Sequence, residues 1–493
     1  MTVAYAQLER HFRTVALLED AQNLLHWDAS TFMPDGAAQA RSEQVAALSS
    51  LKHRLMSQPE LVEWLETAES SLSSLSPWQQ ANLREMRRHW LHANCLEEKL
   101  VEELARLCLE SEHVWFTARQ ENDFPRMLPY LERMVAFTRE MAAAKAHALG
   151  CAPYDALLDT YDPGLRTSLV DACFEPLAAR LPETIERALS VQKEAPSLDL
   201  SAPVTAQEAL GRTLLKRLGF DFDSLRLDIS PHPFCGGARG DIRITTRYTA
   251  QDVTEGLFGV LHESGHALYE RQLPAEWRYQ PVGEARGMSL HESQSLLVEM
   301  QLGQSPAFIA FLLPLLEECT KVRYERRALY QALTRVEPGL IRVTADEVTY
   351  PAHIILRYRL EKLLLSGEVR VAELPGVWAE GMQELLGLRP ENDRDGCLQD
   401  VHWPGGAFGY FPTYTLGALI AAQMMEAAHT ALPHLESEVE KGEFAPLQHW
   451  LKEHVHAHGS RYGTAELIER ATGKPLGIDA YVRYIGRKYL GET

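Results

Sequence analysis

The chain has 493 residues, 45% of them hydrophobic and 24% charged, the balance of a globular protein able to bury a large core. Its 49 Lys and Arg stand against 68 Asp and Glu, a formal net charge of −19, which repels phosphate and excludes nucleic acid and anionic membrane as favoured partners. Seven scattered cysteines with no C-x-x-C pair argue against a disulfide framework, an iron–sulfur cluster or a thiolate zinc site, and fit a reducing cytoplasm.

In chain order, Glu9, Arg10, Arg13, Glu19 and Asp20 interrupt the first residues, so no secretory signal core is expected there. No run of about 18 apolar residues appears anywhere, so no transmembrane span is expected either. Leu8, Phe12, Val15, Leu18 and Leu25 recur at helical spacing. The stretch 78–122 predicts one long helix, started by Ser76 as N-cap with Pro77 at the first helical position. Further helices are predicted over 126–149, 168–193, 306–335, 353–365 and most of 415–490. No linker, low-complexity tract or repeat divides the chain, so a single, mostly α-helical domain over 1–493 is expected.

Strand signals concentrate at residues 225–249. Leu227 and Ile229 alternate with polar residues, as do Ile242 and Ile244, and the loop SPHPFCGGARG joins the two runs. The pattern predicts a small antiparallel sheet, apolar on one face and presenting Arg243 and Thr245 on the other.

Just beyond it lies His262-Glu263-Ser264-Gly265-His266. Residues four apart on a helix are offset by about 40° around the axis, so both imidazoles face one point and can share a metal ion, with Glu263 placed to take a proton from water. Asp252, with Glu255 three later, predicts a capped helix start. A short pattern of this kind also arises by chance on solvated helices. Here Gly259, Val260 and Gly265 point instead to a packed helix, in which two His and a Glu need a partner such as a metal. A catalytic site requires a third protein ligand. Glu284, His291, Glu292 and Glu299 lie downstream on a segment expected to run antiparallel. Glu292 is taken as the ligand, completing a His, His, Glu set, with His291 and Glu299 as supporting or solvent-facing residues. His454, His456 and His458 repeat the four-residue spacing, yet no acid follows in the base position and Gly459 stops the helix, so a solvated or locally bonded turn is expected.

The sequence resembles the carboxypeptidase Taq family of metallocarboxypeptidases. The likeness rests on the H-E-x-x-H match together with HPF at 232–234, DIRIT at 241–245, HESQ at 291–294, IRVTAD at 341–346 and GCLQDVHW at 396–403, all in the family's order. LLHWDASTFMPDGAAQAR and YDALLDTYDPG extend it over nearly the whole chain. The resemblance implies a neurolysin-like helical fold with a deep cleft between two helical halves, usually a homodimer, that removes single residues from peptide C-termini with broad specificity. It also implies His262, His266 and Glu292 as metal ligands and Glu263 as general base. One divalent metal per chain is expected, zinc first and cobalt second.

A carboxypeptidase must hold a free carboxylate, for which a fork-shaped arginine is best suited. Arg342 is the first candidate, then Arg243, with Arg357 third, although Arg342 has Asp346 four residues on as an alternative ion-pair partner. An oxyanion donor is also needed. The run HWPGGAFGYFPTYTLG offers Tyr410 and His402 ahead of Tyr414, while Phe408 and Phe411 suit a core. His232, in a proline-stiffened loop, either contacts substrate or holds the hairpin. Two rivals remain: an oligopeptidase or dipeptide-releasing enzyme in the same cleft, and a non-catalytic helical scaffold with a structural metal or none.

Overall fold

A computed structural model describes residues 3–192 and 197–492. Helices dominate, and among the described residues no single one is long and apolar enough to cross a membrane. Apolar side chains gather in three clusters. The smallest joins the N-terminal helices through Tyr5, Leu8, Phe12, Leu61, Leu65, Leu83 and Met86. The two largest form the two halves of the body, and the helix Pro412–Ala431 belongs to both. It gives Leu416 and Leu419 to one half and Ile420, Ala421 and Met424 to the other. A helix with apolar side chains on opposite faces packs between two bodies. It therefore runs as a central helix along the floor of the cleft that separates them.

Two expected helices are split. The stretch 78–122 is two helices, Pro77–Asn94 and Glu98–Glu121. Ser76 does cap the first in a capping box with Gln79. At its end the Asn94 side chain donates to Met56 O at 2.9 Å and Trp90 O at 2.8 Å, a tertiary tie that turns the chain where propensity alone would carry it on. The stretch 306–335 is likewise split into Pro306–Thr320 and Arg326–Leu333 by Lys321 at φ 61°. The helix expected over 168–193 runs Thr167–Val191, and Lys193 lies outside the described residues.

The small sheet is mixed rather than antiparallel. Strands β1 (Leu225–Ile229), β2 (Cys235–Ala238) and β3 (Asp241–Thr246) lie in the order β1-β3-β2, with β1 parallel and β2 antiparallel to β3. The glycine-rich stretch read as a loop is itself the edge strand β2; it doubles back into β3 and leaves β1 and β3 pointing the same way. The faces differ too: Ile229 is 51% exposed while Thr245 is fully buried. Burial of Thr245 is satisfied by its hydroxyl, which accepts from Phe234 N at 2.9 Å and contacts Ser230 Oγ at 2.7 Å.

The glycine-rich run 401–411 is held from beneath by Glu361, fully buried on the helix Tyr350–Ser366. Its carboxylate accepts from Trp403 Nε1 at 2.8 Å, Gly409 N at 2.8 Å and the Tyr154 hydroxyl at 2.6 Å. Burial pushes this carboxyl up to about 7 from 4.5, against three donors that favour the charged form. The folded chain thus holds the proton more tightly than the unfolded one. The stability this gives is complete below pH 4.5 and is lost as pH rises through 7. The stability difference between the parent protein and Glu361→Gln, read by chemical denaturation, should shrink by about 3 kcal/mol between roughly pH 4.5 and pH 8. A pH-independent difference would show that Glu361 stays ionised in both states.

Candidate metal centre and active-site cleft

The H-E-x-x-H motif sits on the helix Val253–Gln272. Asp252 caps it by accepting from Thr254 N at 2.8 Å, but Glu255 pairs with Arg247 and the expected capping box does not form. The second ligand-bearing helix, Met288–Leu296, continues into a π-helical turn, Leu297–Leu302. The two run antiparallel, since His262 meets Glu299 while His266 and Glu270 meet His291. Their closest approach is at Gly265, where a Cβ would stand 2.2 Å from Gln294 O and 2.6 Å from Ser295 Cα. Gly417 of the central helix gives Glu292 room in the same way: a Cβ there would lie 2.8 Å from Glu292 Cγ.

His262, His266 and Glu292 each offer one ligand atom, all within 4.8 Å of one another, and form the one such cluster among the described residues. Glu292 Oε2 is 3.6 Å from His266 Nε2 and 4.0 Å from His262 Nε2. Tetrahedral zinc ligands at about 2.0–2.1 Å stand about 3.3–3.4 Å apart, so the donors fit a divalent cation after a small contraction. The ring nitrogens facing away are braced: His262 Nδ1 is 2.8 Å from Glu299 Oε2, and His266 Nδ1 is 2.6 Å from His291 Nδ1, whose Nε2 is 2.9 Å from Glu270 Oε1. Such contacts fix ring orientation at metal sites.

Electrostatics point the same way. Burial drives His266 well below its ordinary range, keeping a lone pair free. For His262 burial acts in that direction too, but Glu299, Glu292 and Glu263 outweigh it and raise the imidazole to about 10. Burial first, then the charges of Glu292 and Glu299, lift Glu263 to about 7 against the pull of His262. Glu263 is 4% exposed and its Oε2 has no hydrogen-bond partner. Three carboxylates thus converge where a cation is the natural compensation.

The cluster opens into a cavity of about 680 Å³. It is lined by His262, Glu263, His266 and Glu292 from helices packed in one apolar half, by Arg342, Tyr350, Tyr410 and Tyr414 from segments packed in the other, and by Ala418 and Ala421 of the central helix between them. Arg342 bonds not to Asp346 but to Asp400, with Nε at 2.9 Å and Nη2 at 2.8 Å from Oδ1, and it donates through Nη1 to the Tyr350 hydroxyl at 2.9 Å. Arg357 Nε donates to the other oxygen of Asp400 at 2.7 Å. Burial would raise the Asp400 carboxyl, yet the two guanidinium groups hold it far below the usual carboxylate range. Two arginines on one carboxylate leave this buried cluster with a surplus positive charge.

The other named residues stand elsewhere. Arg357 is fully buried behind Arg342. Arg243 pairs with Asp241 at 2.6 Å and lies over Trp27, off the cavity wall. His232 is exposed and also off the wall, although its neighbours Pro233 and Phe234 line it. His402 stacks on Phe411 and places Nε2 3.2 Å from the Tyr414 hydroxyl, so Tyr414 rather than His402 faces the cavity. Phe408 and Phe411 are core residues, as expected. Glu284 pairs with Arg239 at 2.8 Å, away from the metal cluster. Of the C-terminal histidines, His454 Nδ1 bonds locally to Trp450 O at 2.9 Å, but His456 is not solvated: it is fully buried, 2.7 Å from Gln272 Oε1 and 2.8 Å from Gln294 Oε1, bracing both helices. Asp400 and Tyr350 were not foreseen, though Asp400 lies inside the GCLQDVHW motif.

The profile of the carboxypeptidase Taq (M32) metallopeptidases matches residues 7–489. The chain belongs to that family. Thermostable carboxypeptidase 1 of Thermus thermophilus is 40% identical over 501 residues, covering 99% of this chain and 98% of the relative. Among solved structures, Trypanosoma cruzi metallocarboxypeptidase 1 superposes with TM-score 0.97 at 40% identity, and the M32 carboxypeptidase of Deinococcus radiodurans with 0.93 at 35%; each match covers 99% of both chains. The neighbours bear out the mostly helical fold. The protein is a metallocarboxypeptidase acting on peptides, and the scaffold reading is set aside.

The close contact at Gly265 makes a direct test of the two-helix geometry. Gly265→Ala should weaken binding of a divalent cation by about 10- to 100-fold while leaving the helical content unchanged, measured by chelator competition and circular dichroism, because the added methyl must part the helices that carry the donors. Unaltered affinity would show that the ligands do not depend on this approach.

Proposed function

We propose that the enzyme releases single C-terminal residues from peptides with broad tolerance of side chain, using one divalent cation held by His262, His266 and Glu292. What carries this reading is one cavity holding both the His, His, Glu donor set and, on the facing wall, an arginine cluster with a surplus positive charge. Zinc suits two imidazoles and a carboxylate, and cobalt accepts the same donors. Seven free cysteines favour a reducing cytoplasm. The family resemblance favours a single domain over 1–493 and a homodimer, which sedimentation would test.

Arg342 binds the terminal carboxylate with the N–H groups that Asp400 and Tyr350 leave free, and the negative charge completes the cluster. Arg243 and His232 act at one remove, on the strand and loop that border the cleft. The cation, when bound, supplies Lewis acidity to the last peptide carbonyl and acidifies water. Glu263 takes the proton of the attacking water at its unpaired Oε2 and delivers it to the leaving amine. Tyr410 and Tyr414 donate to the developing oxyanion; burial raises both hydroxyls above their usual range and keeps them protonated. Burial first, then the arginines, lowers His402 to about 4, so it stays neutral beside Tyr414 and orients that hydroxyl.

Two experiments test this assignment. Glu263→Gln should keep stoichiometric metal and lose about 10²–10⁴-fold in kcat, whereas Glu292→Ala should lose the metal itself. Full metal in the Glu292 variant would move the third ligand to Glu299. A peptide with a free C-terminus should be shortened one residue at a time, with kcat/KM about 10- to 150-fold above that of its C-terminal amide. Arg342→Ala should remove most of that preference, and internal cuts or dipeptides as first products from the parent enzyme would favour an oligopeptidase.

A further inference from the structure

Lys488, on the C-terminal helix Asp479–Tyr489, is a buried ammonium outside the catalytic cluster. Its Nζ lies 2.8 Å from Glu347 Oε2, 3.0 Å from Gln304 Oε1 and 3.2 Å from Met300 O. The pair with Glu347 leaves the two side chains 6% and 7% exposed. The Tyr484 and Tyr489 hydroxyls reach the same Glu347 oxygen, each at 2.9 Å.

These acceptors belong to different halves: Val298 and Leu302, on either side of Met300, pack in one apolar cluster, and Val348, next to Glu347, in the other. Met300 lies in the π-helical turn Leu297–Leu302, next to Glu299, which braces His262. Glu347 follows the short turn Arg342–Thr344, and this segment is stiffened by Asp346, whose carboxylate accepts from Val348 N at 2.9 Å, Thr349 N at 3.1 Å and Glu337 N at 3.0 Å. Both Met300 and Glu347 line the cavity. An apolar side chain would cement these segments as well, without the desolvation cost of a buried charge. What an ammonium adds is direction: its protons fix acceptors on the two segments, and the Tyr484 hydroxyl at 2.7 Å on its own helix, relative to one another.

We propose that Lys488 is a positioning residue. Through Glu347 and Met300 it sets the distance between Arg342 and the metal ligands, and so holds the scissile bond one residue from the terminal carboxylate. This rests on Arg342 as the carboxylate site.

The test compares parent, Lys488→Met, Lys488→Arg, Glu347→Gln and the Lys488→Met/Glu347→Gln double variant as metal-loaded proteins. Each is assayed on one peptide and its C-terminal amide, with kcat and KM resolved and first products weighed by mass spectrometry. Lys488→Met should keep its metal, lose about 5- to 20-fold of the acid-over-amide preference and release some dipeptide. Glu347→Gln should change in the same direction, the double variant should be no worse than the more affected single one, and Lys488→Arg should recover part of the preference. Variants that melt earlier but keep the parent's preference and product size would make Lys488 purely structural and overturn the inference, leaving Arg342 in place. If Lys488→Met does not fold, an unchanged preference in Glu347→Gln is equally decisive against it. A parent enzyme without acid-over-amide preference, or Arg342→Ala that retains it, would instead bring down the carboxylate site and this inference with it.

Discussion

Glu263, Glu292 and Glu299 meet two imidazoles in a largely desolvated pocket at the side of the cavity, and the rest of the molecule is arranged around that concentration of negative charge. Such groups cannot all stay ionised in a protein interior without a compensating cation. The requirement explains why the ligand-bearing helices approach so closely at Gly265 and why each imidazole is braced on its far nitrogen. It also explains the placement of His456 behind them, where a fully buried ring ties the end of one helix to the other. The donors are thus preorganised by neighbours that never touch a substrate.

The facing wall carries the opposite sign. Arg342 and Arg357 share Asp400, and their surplus charge lies across the cavity from the carboxylates. Under the proposed function, a peptide with a free C-terminus complements both, its carboxylate on the arginine side and its last carbonyl on the metal side. The central helix makes this opposition possible, because it contributes apolar side chains to both hydrophobic clusters. One half brings the clustered carboxylates and imidazoles to the cavity, the other the arginine pair.

Much of this was legible in the residues themselves. The period of four between His262 and His266, with Glu263 between, states its chemistry without a fold, because helix geometry alone puts both rings on one face. Ser76 and Pro77 marked a helix start in the same local way. Local signals failed where a distant contact won. Asn94 turned the chain by reaching Met56, and a glycine-rich stretch without strand propensity became β2 because β3 was there to pair with. Arg342 had Asp346 in sequence reach but took Asp400, 58 residues away. His402 and Arg243 were chosen for chemistry they are equipped to do, and both came to stand behind the wall rather than on it.

The sequence by itself therefore determined the family, the helical class and the pairing of His262 with His266, since these depend on motif order, periodicity and residue types that few other chemistries require together. Which arginine and which tyrosines line the cavity, and how the C-terminal helix joins its two sides, were decided only by tertiary structure. The reason is physical: a side chain's partner, burial and charge state depend on groups tens or hundreds of residues distant. Lys488, 141 residues from Glu347 along the chain and 2.8 Å from it in space, shows how little spacing alone can say about such a contact.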